Sequence, residues 1–144
     1  MVKNHLKTIN APKTWNVGRK GKVFILRPDS GPHNLKNSIS LNFLLIELLK
    51  IAKIKKETTY ILHNKEVLVD GKRRKNISFP VGLFDTVCFK DTKKNYRIVI
   101  DNKGKFKIIE IDEKEASLKL CKIIGKNLVK GKVQLNLFDG RSLL

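Results

Sequence analysis

Two short runs of cations are the residues best placed to do chemistry in this sequence: Lys53, Lys55 and Lys56, and then Lys72-Arg73-Arg74-Lys75. Ammonium and guanidinium groups crowded in this way can neutralise phosphate, because like charges on a tight turn repel one another and a polyanion relieves the repulsion. An N-terminal set adds Lys7, Lys13, Arg19, Lys20, Lys22 and Arg27, with His5, Trp15 and His33 among them as rings able to stack on bases or pack on sugar edges. Two plainer readings stand beside these: a basic turn can serve solubility alone, and Trp15 can equally anchor its segment to the next one. Nothing comparable points to catalysis. The chain has 13 Asp and Glu residues, and Glu47, Glu57, Glu66, Asp70, Asp101 and Glu110 fall where turns and helix faces account for them. There is no P-loop, no GxSxG and no paired-histidine motif. Cys88 and Cys121 are far apart, neither lies in a CxxC, and the three histidines are not spaced against them. The expectation is free, buried or half-buried thiols in a reducing cytosol, with no zinc site and no dedicated magnesium site.

The elements that must position these groups follow from periodicity. From Ile39 to Ala52 nearly every position is apolar, with Ser40, Glu47 and Lys50 as a polar strip, which predicts an almost wholly buried helix. Lys53 to Lys56 then form a turn into a short second helix, Glu57 to His63, whose free N–H groups could meet a phosphate. Glu66 to Val69, closed by Asp70-Gly71, reads as a strand and hairpin turn that carries the four cations. Beyond it a strand at Ile77–Phe79, a turn at Pro80–Gly82 and a strand at Asp85–Phe89 are expected.

Before these elements, residues 1–37 carry eight cations against Asp29, interrupted by Pro12, Pro28, Pro32, Gly18, Gly21 and Gly31. Only Val23–Leu26 reads as strand, so a loosely ordered or partly docked extended arm is expected. After residue 90 come a hairpin of Tyr96–Ile100 and Lys105–Ile111 around Gly104, one helical turn near Asp112–Ala116, and alternating runs at Leu118–Ile124 and Lys132–Phe138. The closing Asp139-Gly140 is a hairpin signal with no visible strand after it, as though the sequence stops inside a domain. The fold class is therefore α+β: a basic arm over 1–37, a helix-pair-on-sheet lobe over 38–90, and an incomplete, mostly antiparallel, barrel-like β lobe over 91–144.

With 144 residues the chain can bury a core of one domain or two small lobes. Lys and Arg number 31, giving a formal charge of +18, the footprint of a protein that works against phosphates. No apolar run reaches the roughly 18–20 residues of a membrane span, and the apolar helix has too thin a polar face to lie on headgroups. The basic N-terminus lacks the apolar stretch of a secretion signal, which leaves a cytoplasmic location as the expectation.

Taken together, several blocks resemble the small-subunit ribosomal protein four-e family of archaea and eukaryotes, whose middle carries the S-four type RNA-binding fold. They are His5-Leu6-Lys7, Ala11-Pro12-Lys13, Trp15, Arg27-Pro28, Gly31-Pro32-His33, Val69 to Arg74 and Phe79 to Asp85. Tyr96-Arg97, Lys103 to Phe106, Lys119 to Lys122, Gln134 to Leu137 and Asp139-Gly140-Arg141 continue the match in order, and the last block is closer to archaeal members. The resemblance implies a non-catalytic constituent of the small ribosomal subunit that needs no cofactor, with small-subunit rRNA and neighbouring small-subunit proteins as partners. It also implies that a KOW-type module usually follows. Three rival classes are an RNA-modifying or RNA-charging enzyme, for whose catalytic domain no room is left, an RNA-binding chaperone that binds reversibly, and a membrane-surface protein.

Overall fold

The computed structural model describes residues 5–144; the first four residues, with the arm cation Lys3, lie outside the described residues. The core forms where the apolar run begins. Ser38–Ser40 is a strand (β3), and Ser40 then caps a helical turn, Leu41–Phe43 (α1), its Oγ accepting from the Phe43 N–H at 3.2 Å. A wider π turn, Leu44–Leu48, extends α1, and the helix stops at Lys50, which takes a φ of +55°. The expected helix over Ile39–Ala52 is therefore corrected at both ends. Ile39, Leu41, Phe43, Leu44 and Leu45 are buried, but Ile51 is 49% exposed, because the chain has already turned away from the core.

The second helix, α2, runs over Lys55–Asn64, longer at its start than the expected Glu57–His63, and buries Thr58 and Leu62. Val67–Val69 (β4) and Lys72–Arg73 (β5) form the expected hairpin around Asp70 and Gly71, both at positive φ (50° and 74°), the geometry that Asp-Gly favours. The next expectation is inverted. Residues 77–79 make the turn, with Asn76 Oδ1 accepting from the Ser78 N–H at 2.9 Å and Asn76 O from the Phe79 N–H at 3.2 Å. Pro80–Gly82 is instead a buried strand (β6) antiparallel to β3. The Asn side chain decides the turn, and Pro80 is tolerated as the first residue of its strand.

Thr86–Phe89 (β7), Lys94–Ile100 (β8) and Phe106–Ile111 (β9) complete an antiparallel five-stranded sheet in the order β5-β4-β7-β8-β9, continuous across residue 90. Its covered face contributes Val67, Val69, Val87, Phe89, Ile98 and Phe106 to the same core as α1 and α2. A single turn, Glu113–Ala116 (α3), leads to a separate meander of Ile123–Val129 (β10), Lys132–Leu137 (β11) and Ser142–Leu143 (β12). The run 118–122 is thus not a strand, and Ser142–Leu143 is one where none was expected. Both sheets are open: the described residues form no closed barrel, which corrects the barrel-like expectation.

Of the two states expected for the N-terminal segment, loosely ordered or partly docked, the structure has the docked one. His5–Lys7 (β1) pairs antiparallel with Phe24–Leu26 (β2), and Leu6, Ala11 and Trp15 are buried in the common core. Trp15 donates from Nε1 to Ser38 O at 2.9 Å, and the Phe106 N–H donates to Thr14 O at 2.9 Å. Three apolar residues spaced four or five apart escape any periodic window, yet they are enough to dock the ribbon on the lobe.

Candidate nucleic-acid interface

The expected phosphate contacts occupy three regions. On the docked ribbon Lys7, Lys13, Arg19, Lys20 and Lys22 are exposed and Arg27 is half-buried. Arg19 is also a strut, donating from Nη1 to Ile9 O at 2.7 Å. Lys22 lies 3.9 Å from Glu47, a solvent-exposed pair of little energetic weight. The rings divide from the cations. His5 stays exposed beside Phe24, whereas Trp15 is 3% exposed with its ring against Phe43, so the anchoring role is the one it fills here. His33 is 7% exposed, and its Nε2 sits 3.0 Å from both carboxylate oxygens of Asp85; its ring faces inward rather than toward a base.

Lys53, Lys55 and Lys56 are exposed at the start of α2, as expected. A carboxylate is already there: Glu57 Oε2 accepts from the N–H groups of Lys53 (2.7 Å) and Ile54 (3.4 Å). The hairpin cluster stands at the other end of α2, about 15 Å away for ten residues. There Arg73 donates from Nη2 to His63 O at 3.0 Å, completing the last turn of the helix. Arg74, half-buried, lays its guanidinium 4.3 Å from the centre of the Phe79 ring. Lys72 and Lys75 are exposed. The tetrad thus divides: Arg74 packs on the fold, Arg73 spends one N–H on the helix end while staying exposed, and Lys72 and Lys75 face solvent with no such bond.

Spacing rules pass over the most heavily charged place in the interior. Lys119 Nζ lies 2.6 Å from Asp70, 2.5 Å from Asp85 and 3.1 Å from Asp139, and Arg141 reaches Asp70 (2.6 Å) and Asp139 (3.3 Å). Burial alone would lower the Lys119 ammonium; hydrogen bonds to Asp70 and Asp85 and their charges hold it well above the usual lysine range instead. Burial likewise pushes the Asp85 carboxyl up, and His33, the Gly82 N–H and Lys119 together bring it below its ordinary value. Asp139 is lowered the same way: burial pushes it up, and the Arg141 N–H and Lys119 outweigh that. Asp70 and Asp139, read as turn residues, and Asp85, read as the start of a strand, therefore surround a lysine. They tie the ribbon (His33), the lobe (Asp70, Asp85) and the C-terminal segment (Lys119, Asp139, Arg141) together. The sequence signal was present in the Asp-Gly pairs and in Lys119-Leu120-Cys121-Lys122, but nothing in their spacing says that they meet.

Cys88 and Cys121 are half-buried free thiols, as expected. Burial pushes both thiols up, reinforced by Asp70 for Cys88 and by Asp139 for Cys121, so neither is an activated nucleophile. No helix among the described residues is long and apolar enough to cross a membrane.

Comparison with known proteins gives the arrangement a context. Residues 92–144 match Ribosomal family S4e, and residues 2–36 match the RS4NT (NUC023) domain. The chain is 45% identical over 145 residues to small ribosomal subunit protein eS4 of Archaeoglobus fulgidus, covering all of this chain and 60% of that one. It is 42% identical over 143 residues to eS4 of Methanosphaera stadtmanae, covering 99% of this chain and 59% of the relative. The crystal structure of the 30S ribosomal protein S4e from Thermoplasma acidophilum superposes with a TM-score of 0.62 at 30% identity, over 74% of this chain and 55% of that one. The chain spans about three fifths of the length of these curated relatives. Sequence blocks, fold and near-complete alignment agree, and this chain belongs to the ribosomal S4e family.

Proposed function

We propose that the protein is a structural, non-catalytic constituent of the cytoplasmic small ribosomal subunit that binds and braces small-subunit rRNA beside neighbouring small-subunit proteins. The observation that carries this reading is the identity of about two residues in five, over essentially the whole chain, to relatives named small ribosomal subunit protein eS4. The formal charge of +18 supports it. The contacts are assigned to the exposed cations: Lys7, Lys13, Arg19, Lys20 and Lys22 with Arg27 on the ribbon, Lys53, Lys55 and Lys56 at the start of α2, and Lys72 and Lys75 on the hairpin. Trp15, His33, Arg73 and Arg74 hold those surfaces in place. Each phosphate neutralised releases condensed counterions, so affinity falls steeply with salt, while specificity comes from fitting a folded RNA surface.

Small subunits purified at low salt from cells that make this chain, then washed in stepped high salt, test the reading by mass spectrometry of each fraction. Retention in stoichiometric amount through the washes is expected. Release at the first wash, or absence from the particle, overturns it in favour of a reversible RNA-binding chaperone.

A further inference from the structure

Val23-Phe24-Ile25-Leu26 is a continuous apolar run, the pattern of a strand covered on both faces, yet it forms one strand of a two-stranded ribbon. Leu6 and Ile25, paired in the ladder, turn inward onto the common core. Alternation then puts His5, Lys7 and Phe24 on the outer face. All three are exposed, and the Phe24 side chain is 55% so. The register fixes where these groups stand. His5 is the diagonal neighbour of Phe24, and the two rings meet edge to face, with centroids 5.7 Å apart and planes at 62°. Lys7 is directly opposite Phe24. Lys20 and Lys22, both exposed, lie on the loop that enters β2. That loop is tied back to the end of β1: Thr8 Oγ1 donates to Lys22 O at 2.6 Å, and Arg19 Nη1 to Ile9 O at 2.7 Å. An oriented, open aromatic ring thus stands among three ammonium groups.

We infer that this outer face is a stacking platform for one unstacked RNA base, with Phe24 as the stacking ring beside His5 and with Lys7, Lys20 and Lys22 on the flanking phosphates. The inference rests on the rRNA-binding reading and adds to its phosphate contacts a residue that touches a base. Charge decides among the occupants. A second copy would bring these lysines against their own counterparts, in a chain of formal charge +18. An apolar protein neighbour would cover the ring and leave the ammonium groups at its rim without counter-charge. A nucleotide segment supplies both halves of the match, a π face for the ring and phosphates on either side for the lysines. Stacking needs no particular base edge, so the platform selects unpaired RNA rather than a sequence. Spacing along the chain does not distinguish Phe24 from Ile25; only the register with β1 puts one outside and the other in the core.

The test uses the full chain and single-stranded RNA decamers of mixed sequence carrying one 5-iodouridine. Phe24→Leu keeps an apolar side chain and removes the ring. It should bind about tenfold more weakly, the effect of losing one base stack. The slope of log affinity against log salt should stay the same, because no cation is lost. Phe24→Tyr restores a ring and should bind within about twofold of wild type. Both variants should melt close to wild type, and photo-crosslinks in the wild-type chain should map to Phe24 or His5. If wild type binds the decamer with a steep salt dependence and Phe24→Leu binds equally well, the platform is overturned and the rRNA reading survives. A loss of affinity that Phe24→Tyr does not restore, or crosslinks confined to the α2 or hairpin segments, also overturns it and leaves Phe24 a packing role. No salt-dependent RNA binding by the wild type overturns both.

Discussion

Among single residues, the split within Lys72-Arg73-Arg74-Lys75 is the sharpest result, because four adjacent cations of one apparent kind do two jobs. Arg73 closes α2 through His63 O and Arg74 stacks on Phe79, so their removal would disturb the fold before it disturbed any RNA contact. Lys72 and Lys75 are exposed. Lys72→Ala with Lys75→Ala should leave thermal stability within about 0.5 kcal/mol of wild type, as surface changes do. The same pair should reduce the slope of log affinity against log salt by about 1.5, from two lost phosphates at about 0.7–0.9 each. Arg73→Ala should show the reverse balance, costing about 1 kcal/mol of stability for a lost helix-end hydrogen bond. Denaturant titration beside RNA binding at several salt concentrations separates the two; an unchanged slope in the double lysine variant removes the hairpin from the interface.

Elements built on local signals were legible in the sequence, and those built on distant contacts were not. The hairpin at Asp70-Gly71 and the β8–β9 hairpin stand where alternation and turn chemistry put them. The strand β2 also lies within the expected Val23–Leu26. The docking of the ribbon, β6 and the segment 117–122 were not legible, because what fixes them is Trp15 on Ser38, Ile39 beside Val81, and Lys119 among three aspartates. Of the expected site residues, the exposed lysines stand where the sequence put them, while His33 and Trp15 point inward because burial depends on partners 52 and 23 residues away. The Lys119 knot has its own consequence in acid. The Asp85 and Asp139 carboxyls lie below their ordinary value of 3.8 in the fold, so they bind protons less readily folded than unfolded. Their contribution is present in full above the unfolded value and is lost as pH falls through the lowered folded values. Melting temperature should therefore drop from about pH 4.5 downward. Lys119→Met leaves Asp70 and Asp139 with Arg141 and Asp85 with His33, which should cost about 3–5 kcal/mol at neutral pH and weaken the acid dependence. A variant as stable as wild type at pH 7 would show that the knot does not hold the C-terminal segment.

At the scale of the whole molecule, a charge of +18 should act on folding and on the proposed RNA binding with opposite signs. In the free protein the cations repel across the surface, and the surface pairs Lys22–Glu47, Lys65–Asp91, Lys90–Glu66 and Lys94–Glu110 offset only a few of them. The meander adds a second tension. Cross-strand pairs Ile123–Leu137, Leu128–Val133 and Leu135–Leu143 put apolar side chains on one face, where Leu128 is 79% exposed and Leu143 57%. Like-charge repulsion keeps such faces of different molecules apart in dilute, low-salt solution. Raising salt from 0.05 to 0.5 M shortens the screening length from more than about 10 Å to less than half that, and so removes self-repulsion within the fold. Free protein at low concentration should gain on the order of 1 kcal/mol, about 4 °C in melting temperature. Over the same range RNA affinity should fall on the order of 10³- to 10⁴-fold if five cations contact phosphates. Calorimetry and binding run side by side on one preparation test this. A melting temperature that falls with salt would mean that stabilising ion pairs outweigh the net charge. A flat binding curve would mean that the exposed lysines face solvent even in the complex, leaving shape and base contacts to account for recognition.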